Sequence, residues 1–247
     1  MSKTEKITTL SKRLAKEIPL LKKVYKVFYR NIIKSKYIYL LSTSTKPLSK
    51  WYGLDRGLPI DRYYIEQFLL KNKTSIHGKC LELLNNNYTK KFGESAVITA
   101  DVLDIDETNS AATIIGDLRN LSAVSDNTYD SIILTQVLQF IDDTDAAIAE
   151  CYRILKPGGI LLVTLPAISR IDCISGVEGD FWRFTTASAE YQFSKKFKTE
   201  TLDIQPHGNA RTGLYFYAGL AQEDVSDKIF QENDHDFPTL ITVVAKK

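Results

Sequence analysis

The sequence predicts an α/β domain built on a mostly parallel, doubly wound sheet that an antiparallel C-terminal hairpin closes. Three observations carry this reading. Tyr129 to Pro166 runs strand, helix, tight turn, strand, a connection that makes its two strands parallel neighbours. Short apolar runs alternate with helical patterns through most of the chain. Two late strands then stand close to the C-terminus, as an added hairpin would.

The first ~18 residues are polar and basic. From Pro19 to Ile33, Leu20, Leu21, Val24, Val27, Phe28 and Ile32 recur at helical spacing, with Lys22, Lys23, Lys26, Arg30 and Lys34 gathered opposite. Such a basic amphipathic helix suits an anionic membrane surface or a partner, here through residues 19–41. The same pattern also fits a helix packed on its own domain with a solvated face. Residues 42–50 read as a linker, so the expected division is a basic extension, 1–50, and a domain, 51–247.

Residues 51–62 form a polar, aromatic loop. A helix follows from Asp61, a candidate N-cap, to Lys71, with Tyr64, Ile65, Phe68 and Leu69 as its apolar stripe. The sheet is expected as Lys79–Leu84, Ala96–Asp101, Ala112–Ile115, Ser131–Thr135 and Ile160–Leu165. Asp145–Leu155 is a helix with Ala147, Ile148, Cys151, Ile154 and Leu155 on one face. Lys156-Pro157-Gly158-Gly159 ends it with a base, a residue that cannot continue, and glycines free to take positive φ. A helix near Ser188–Lys195 and strands near Lys198–Ile204 and Leu240–Ala245 complete the chain.

With 247 residues, 44% of them hydrophobic, the chain can bury one sizeable core. No run of ~18 uncharged apolar residues is present to span a bilayer, and the N-terminus lacks the pattern of a signal peptide. Cys80, Cys151 and Cys173 are far apart, and His77, His207 and His235 equally scattered. This excludes a spaced metal motif and suits reduced thiols in a cytoplasm. Charge is uneven: residues 1–50 hold 13 Lys and Arg against Glu5 and Glu17, leaving 19 basic and 28 acidic groups for the rest. Tyr25, Phe28, Tyr29, Tyr37 and Tyr39 interleave with those bases, as in nucleic-acid binders. Against that partner stand the acidic domain and the lack of a recognition motif.

Ligands of doubly wound sheets bind beyond the strand C-termini, where strand order reverses. Glu82 lies in the first strand. Asp101 is read as ending the second, 19 residues on, about the spacing of an acid that accepts from a ribose hydroxyl. Asp117, in Ile115-Gly116-Asp117-Leu118, could accept from an adenine amine. Asp130 reads as a structural turn residue.

Asp130 with Ile132 and Ile133, then Arg153-Ile154-Leu155-Lys156-Pro157-Gly158-Gly159, resemble the late motifs of class I S-adenosylmethionine-dependent methyltransferases. DRGLPIDRYYIEQFL (55–69), YTKKFG (88–93), ATIIGDL (112–118), IILTQVLQFI (132–141) and FWRFT (181–185) narrow the likeness. They are similar to the type 11-like bacterial group often encoded beside glycosyltransferases. The resemblance spans about residues 50–247. It implies a Rossmann-like class I fold, S-adenosyl-L-methionine as cofactor, and O-methylation of a sugar in cell-surface glycan synthesis. A nucleotide- or lipid-linked sugar would be the acceptor and a glycosyltransferase a partner, on the cytoplasmic face of the membrane. It places the cofactor at Glu82, Leu84, Asn85, Asp101, Gly116, Asp117, Leu118, Thr135 and Gln136. One departure is marked. The glycine that the group keeps after the first strand falls at Leu84, before Asn85-Asn86-Asn87, and a Cβ costs ~1–2 kcal/mol in left-handed geometry. A catalytically silent module docked on a glycosyltransferase complex or membrane is therefore the alternative.

A sugar hydroxyl gains from a nearby base. His207, after the second-last strand, and Asp180, after the fifth, are the candidates. Trp182 and Arg183 offer an aromatic platform and an anion fork for the acceptor, with Arg56, Arg62 and Tyr88 as further contacts; the alternative is that these residues pack or pin loops, with Arg183 paired to Asp180 or Asp61.

Overall fold

The computed structural model describes residues 39, 42–172 and 179–247. The basic helix expected over Pro19–Ile33 lies outside them. Five helices and seven strands position the site: α1 (Ile60–Lys71), β1 (Gly78–Leu83), α2 (Asn87–Gly93), β2 (Val97–Asp104), β3 (Ile114–Ile115), β4 (Tyr129–Thr135) and α3 (Thr144–Ile154), then β5 (Leu155–Pro166), α4 (Thr186–Phe193), β6 (Leu202–His207), α5 (Ala210–Ala218) and β7 (Leu240–Lys246). The sheet order is β3-β2-β1-β4-β5-β7-β6. β1 to β5 are parallel, whereas β7 runs antiparallel to both β5 and β6.

Each strand serves two layers because successive side chains alternate in face. Ile132, Leu134, Leu161 and Val163 join the core beneath α3 and α4, while Ile133 and Leu162 join the core beneath α1 and α5. α3 has the expected stripe, and its first turn is fixed by Asp143, which accepts from the Ala146 amide at 2.9 Å. α1 differs at its start. Pro59 is the N-cap residue and makes no side-chain cap, so Asp61 sits inside the first turn, buried, and not as a cap.

The Lys156–Gly159 turn is taken up within β5. Leu155 pairs with Tyr129 and Ile160 with Ser131, so the residues between bulge out of the ladder. Gly158 at φ 81° makes this possible. Lys156 does not cap α3; its ammonium grips both oxygens of Asp130 at 2.8 and 2.7 Å, while Asp130 also accepts from the Lys79 amide at 2.8 Å. Asp130 is thus the structural turn residue its position suggested. Arg153 ties α3 to the preceding loop, donating to the carbonyls of Leu121 and Val124 and pairing with Glu150 and Asp126.

Candidate functional site

Strand order reverses between β1 and β4, so the loops beyond their C-terminal ends face each other across a crevice. Both loops open on a strained residue. Leu84 has φ 67° and Gln136 φ 57°. Each still extends the ladder by one bond, Leu84 N–H to Leu103 O at 3.0 Å and Gln136 N–H to Thr164 O at 3.1 Å, before the chain turns away. Asparagines hold the first loop. Asn85 Oδ1 accepts from the Asn87 amide at 3.0 Å, and Asn86 donates to Ala100 O at 2.9 Å. Leu84 therefore occupies the left-handed turn that a glycine would take at lower cost, and its side chain is 55% exposed.

Glu82 is turned toward α2. Its carboxylate, buried beneath α2, accepts from the Tyr88 and Thr89 amides at 3.3 and 2.7 Å, and burial pushes its pKa up. It orients the loop through α2. Asp101 requires a larger correction. β2 continues to Asp104, which leaves Asp101 three residues short of the end, ~10 Å back along the strand. There it accepts from the Tyr129 hydroxyl at 2.9 Å and pairs with Lys79 at 3.4 Å. The acid at the crevice is Asp104. It is 7% exposed and accepts from Asn109 Nδ2 at 2.6 Å and the Asp106 amide at 3.0 Å, keeping a lone pair free on each oxygen. Asn109 also donates to Leu84 O at 2.8 Å, coupling the acid to the strained turn. The run Val97–Asp104 carried this signal: its apolar residues continue beyond Asp101 to a second acid, Asp104, 22 positions after Glu82.

Gly116 follows β3 and donates to Asp104 O at 2.9 Å. Asp117 is at the expected place, but Arg119 covers both its oxygens through its amide, Nε and Nη2, and reaches Asp142 at 2.6 Å. Those bonds hold the Asp117 carboxyl below the usual range. The Leu118 side chain is core, which leaves its backbone alone to serve a ligand. Thr135 and Gln136 stand at the end of β4. Gln139, missed in the sequence, joins the two walls. Its side-chain Nε2 donates to Gln136 O at 2.9 Å and its backbone carbonyl accepts from the Phe181 amide at 2.8 Å.

Beyond β5, Trp182 keeps an exposed ring face, with Nε1 donating to Ile141 O at 2.9 Å. Arg183 is not a free fork. It binds both Asp180 oxygens at 2.6 and 2.8 Å and donates to the Arg170 and Trp182 carbonyls. Asp180 also accepts from the Asp172 amide at 2.8 Å. Burial would raise its pKa, but these bonds hold it below the usual range, unsuited to take a proton. His207 ends β6, two strands from β5, with Nε2 2.8 Å from the Thr242 hydroxyl and its ring beside Tyr64. Burial and the nearby Lys71 lower its pKa, and the structure places it away from the crevice. Arg56 is a structural tie to Asp224 and the Gly219 carbonyl. Arg62 and Tyr88 meet at 2.8 Å, beside the β1 loop and not on the Trp182 side. Among the described residues no cluster could hold a metal ion.

The sheet order, the C-terminal hairpin and the β1/β4 crevice define a Rossmann-like fold of the class I methyltransferase type. Residues 84–163 match the family described as methyltransferase domain. The ubiquinone/menaquinone biosynthesis C-methyltransferase of Saccharophagus degradans is 31% identical over 103 residues, 39% of this chain and 41% of that protein. The chain thus matches about two fifths of that relative's length. A candidate sarcosine dimethylglycine methyltransferase from Galdieria sulphuraria shares the fold at TM-score 0.52 and 15% identity, over 87% of this chain and 98% of that one. An S-adenosylmethionine-dependent methyltransferase from Mesorhizobium loti does so at TM-score 0.50 and 14% identity, over 79% and 100%.

Proposed function

We propose that the chain is an S-adenosylmethionine-dependent methyltransferase that O-methylates a sugar during cell-surface glycan synthesis. The observation that carries it is the pair of strained turns, Leu84 and Gln136, facing each other across the switch point, with Asp104 beside the first. Backbone strain of ~1–3 kcal/mol per residue persists where the surroundings enforce it, and it clusters at ligand sites. The family match over residues 84–163 supports the same cofactor.

The residues present fit that molecule. Asp104 would accept from the ribose hydroxyls, and the backbone of Gly116 to Leu118 would border the adenine. The turns at Leu84 and Gln136 would flank the sulfur end. Asp117 could accept from the adenine amine only if Arg119 moved fully onto Asp142. The cofactor supplies an electrophilic methyl group on a sulfonium. The chain's task is then to align an acceptor oxygen with it, which can contribute ~7–11 kcal/mol of the barrier. The exposed Trp182 ring suits stacking on a sugar at the β4–β5 rim. With Asp180 and His207 both engaged elsewhere, alignment carries the larger share.

A sugar acceptor linked to a nucleotide or lipid, a glycosyltransferase partner and work at the cytoplasmic membrane face belong to the same proposal. The basic extension supports it by charge. No helix among the described residues is long and apolar enough to cross a membrane. Calorimetric titration with S-adenosylhomocysteine tests the core of the reading. Binding in the micromolar range is expected, and none up to millimolar concentration would overturn it. Transfer of labelled methyl to a panel of linked sugars tests the acceptor.

A further inference from the structure

Asp61 and Arg62 are neighbours in the first turn of α1, the helix that leads into β1. Arg62 Nη1 donates to the Tyr88 hydroxyl at 2.8 Å, and its guanidinium lies 5.9 Å from that ring's centre. Tyr88 opens α2 directly after the Leu84–Asn87 turn, and its amide is held by Glu82. Both residues therefore stand beside the strained end of the crevice, on the side away from Asp117 and Trp182. Among the described residues the Arg62 guanidinium gives no other side-chain hydrogen bond, and it is only half-buried.

Asp61 is the more unusual of the two. It is 7% exposed, and its Oδ1 is buried with no hydrogen-bond partner. Buried polar atoms in native proteins are almost always paired, because an unpaired one costs free energy that nothing returns. Burial accordingly pushes its carboxyl pKa up, and its charge is felt at Tyr88. Arg62 and the neighbouring amides offset that burial only in part, so a buried acid with one oxygen unpaired and an adjacent guanidinium are complementary to a ligand group that carries a cation and an anion together.

Resting on the function proposed above, we propose that Asp61 and Arg62 clamp the amino-acid end of the cofactor. Arg62 pairs with its carboxylate and Asp61 takes its ammonium. A glycine-rich turn binds a ligand mainly through close backbone approach. Here the Leu84 turn keeps the left-handed path but carries a side chain, and the two charges of α1 supply the grip. Arg62 and Tyr88, read from the sequence as acceptor contacts, are thereby reassigned to the cofactor.

The test compares two ligands by calorimetry on the full chain. S-Adenosylhomocysteine carries the amino-acid end, whereas 5′-methylthioadenosine has the same adenosine and sulfur without it. Asp61→Asn and Arg62→Gln should each weaken the first at least ~10-fold and leave the second within about twofold. Equal losses for both ligands would show a merely structural role, and no loss for either would equally overturn the clamp. Arg62→Lys keeps the charge and should recover part of the affinity if Arg62→Gln folds poorly. Should the unmodified chain bind neither ligand, the proposed function itself fails, an outcome distinct from a clamp that fails while both ligands bind.

Discussion

Replacing Leu84 by alanine and by glycine should reverse the usual order of stability. Both substitutions delete the same half-exposed side chain, so the packing lost is common to the two and cancels in their difference. Alanine retains a Cβ at φ 67°, which costs ~1–2 kcal/mol, and glycine removes that cost. Glycine in turn loses ~0.5–1 kcal/mol more in conformational entropy on folding. The difference favours Leu84→Gly over Leu84→Ala by about 1 kcal/mol, or ~2–4 °C in Tm for a chain of this size. At the exposed position Glu190, within α4, Glu190→Ala should instead be more stable than Glu190→Gly by ~1 kcal/mol. Urea unfolding followed by circular dichroism gives both comparisons. If Leu84→Ala matches or exceeds Leu84→Gly, the turn is not left-handed and the argument from backbone strain falls.

Asp104→Asn should weaken binding of adenosine-containing ligands ~10- to 100-fold, the worth of a hydrogen bond to a charged acceptor, while Asp101→Asn leaves it unchanged. The reverse pattern in calorimetry would restore Asp101 to the ribose. Arg183→Ala should cost ~3 kcal/mol in urea unfolding, since it strands the Asp180 carboxylate, whose side chain is 2% exposed. An unchanged midpoint would mean that Arg183 is a free ligand contact after all. Asp117, Asp130, Glu150 and Asp180 all have folded pKa values held below the ordinary 3.8 for aspartate or 4.5 for glutamate. The unfolded chain therefore takes up protons first, and the stability these groups contribute is complete above those values and lost as pH falls through the lowered ones. Glu82 and Asp61, with raised values, act in the opposite sense as pH rises. Tm should drop steeply below about pH 4.5, and a flat profile down to about pH 3 would contradict the pairing of the four.

The alternation of apolar runs places β1 to β4 to within three residues, because strands buried on both faces must be continuously apolar, but it misses the first five residues of β5, which the Lys156–Gly159 bulge interrupts. It failed where hydrogen bonding decides. Nothing in Asn87–Gly93 announces a helix, since α2 is organised by Glu82 from the preceding strand. Helix α5 is absent from the sequence reading too, although Asn209 caps it through two amides, because the residues between the two late strands show no stripe strong enough to announce it. Among the site residues, positions survived better than roles. Leu84 is legible as a glycine-like turn, and an Arg183–Asp180 pair is among the open alternatives, whereas nothing in the sequence says that Arg119 covers Asp117 or which acid holds Arg56. Sequence records that a charge exists, not whether another charge far along the chain has engaged it. Arg56 meets Asp224 across 168 positions, and no spacing rule reaches so far.

The bulge at Lys156–Gly159 has a consequence for how such chains diverge. It clamps β4, β5 and β1 at the ends where the strands begin, about 20 Å from the crevice along the six residue steps of β4. The Lys156–Gly159 stretch thus anchors the foot of the sheet, at the end opposite the crevice. Substitutions around Leu84 and Gln136 would act on the proposed cofactor site without loosening that anchor. The bulge therefore speaks for the scaffold, and the two strained turns are where the proposed chemistry would be decided.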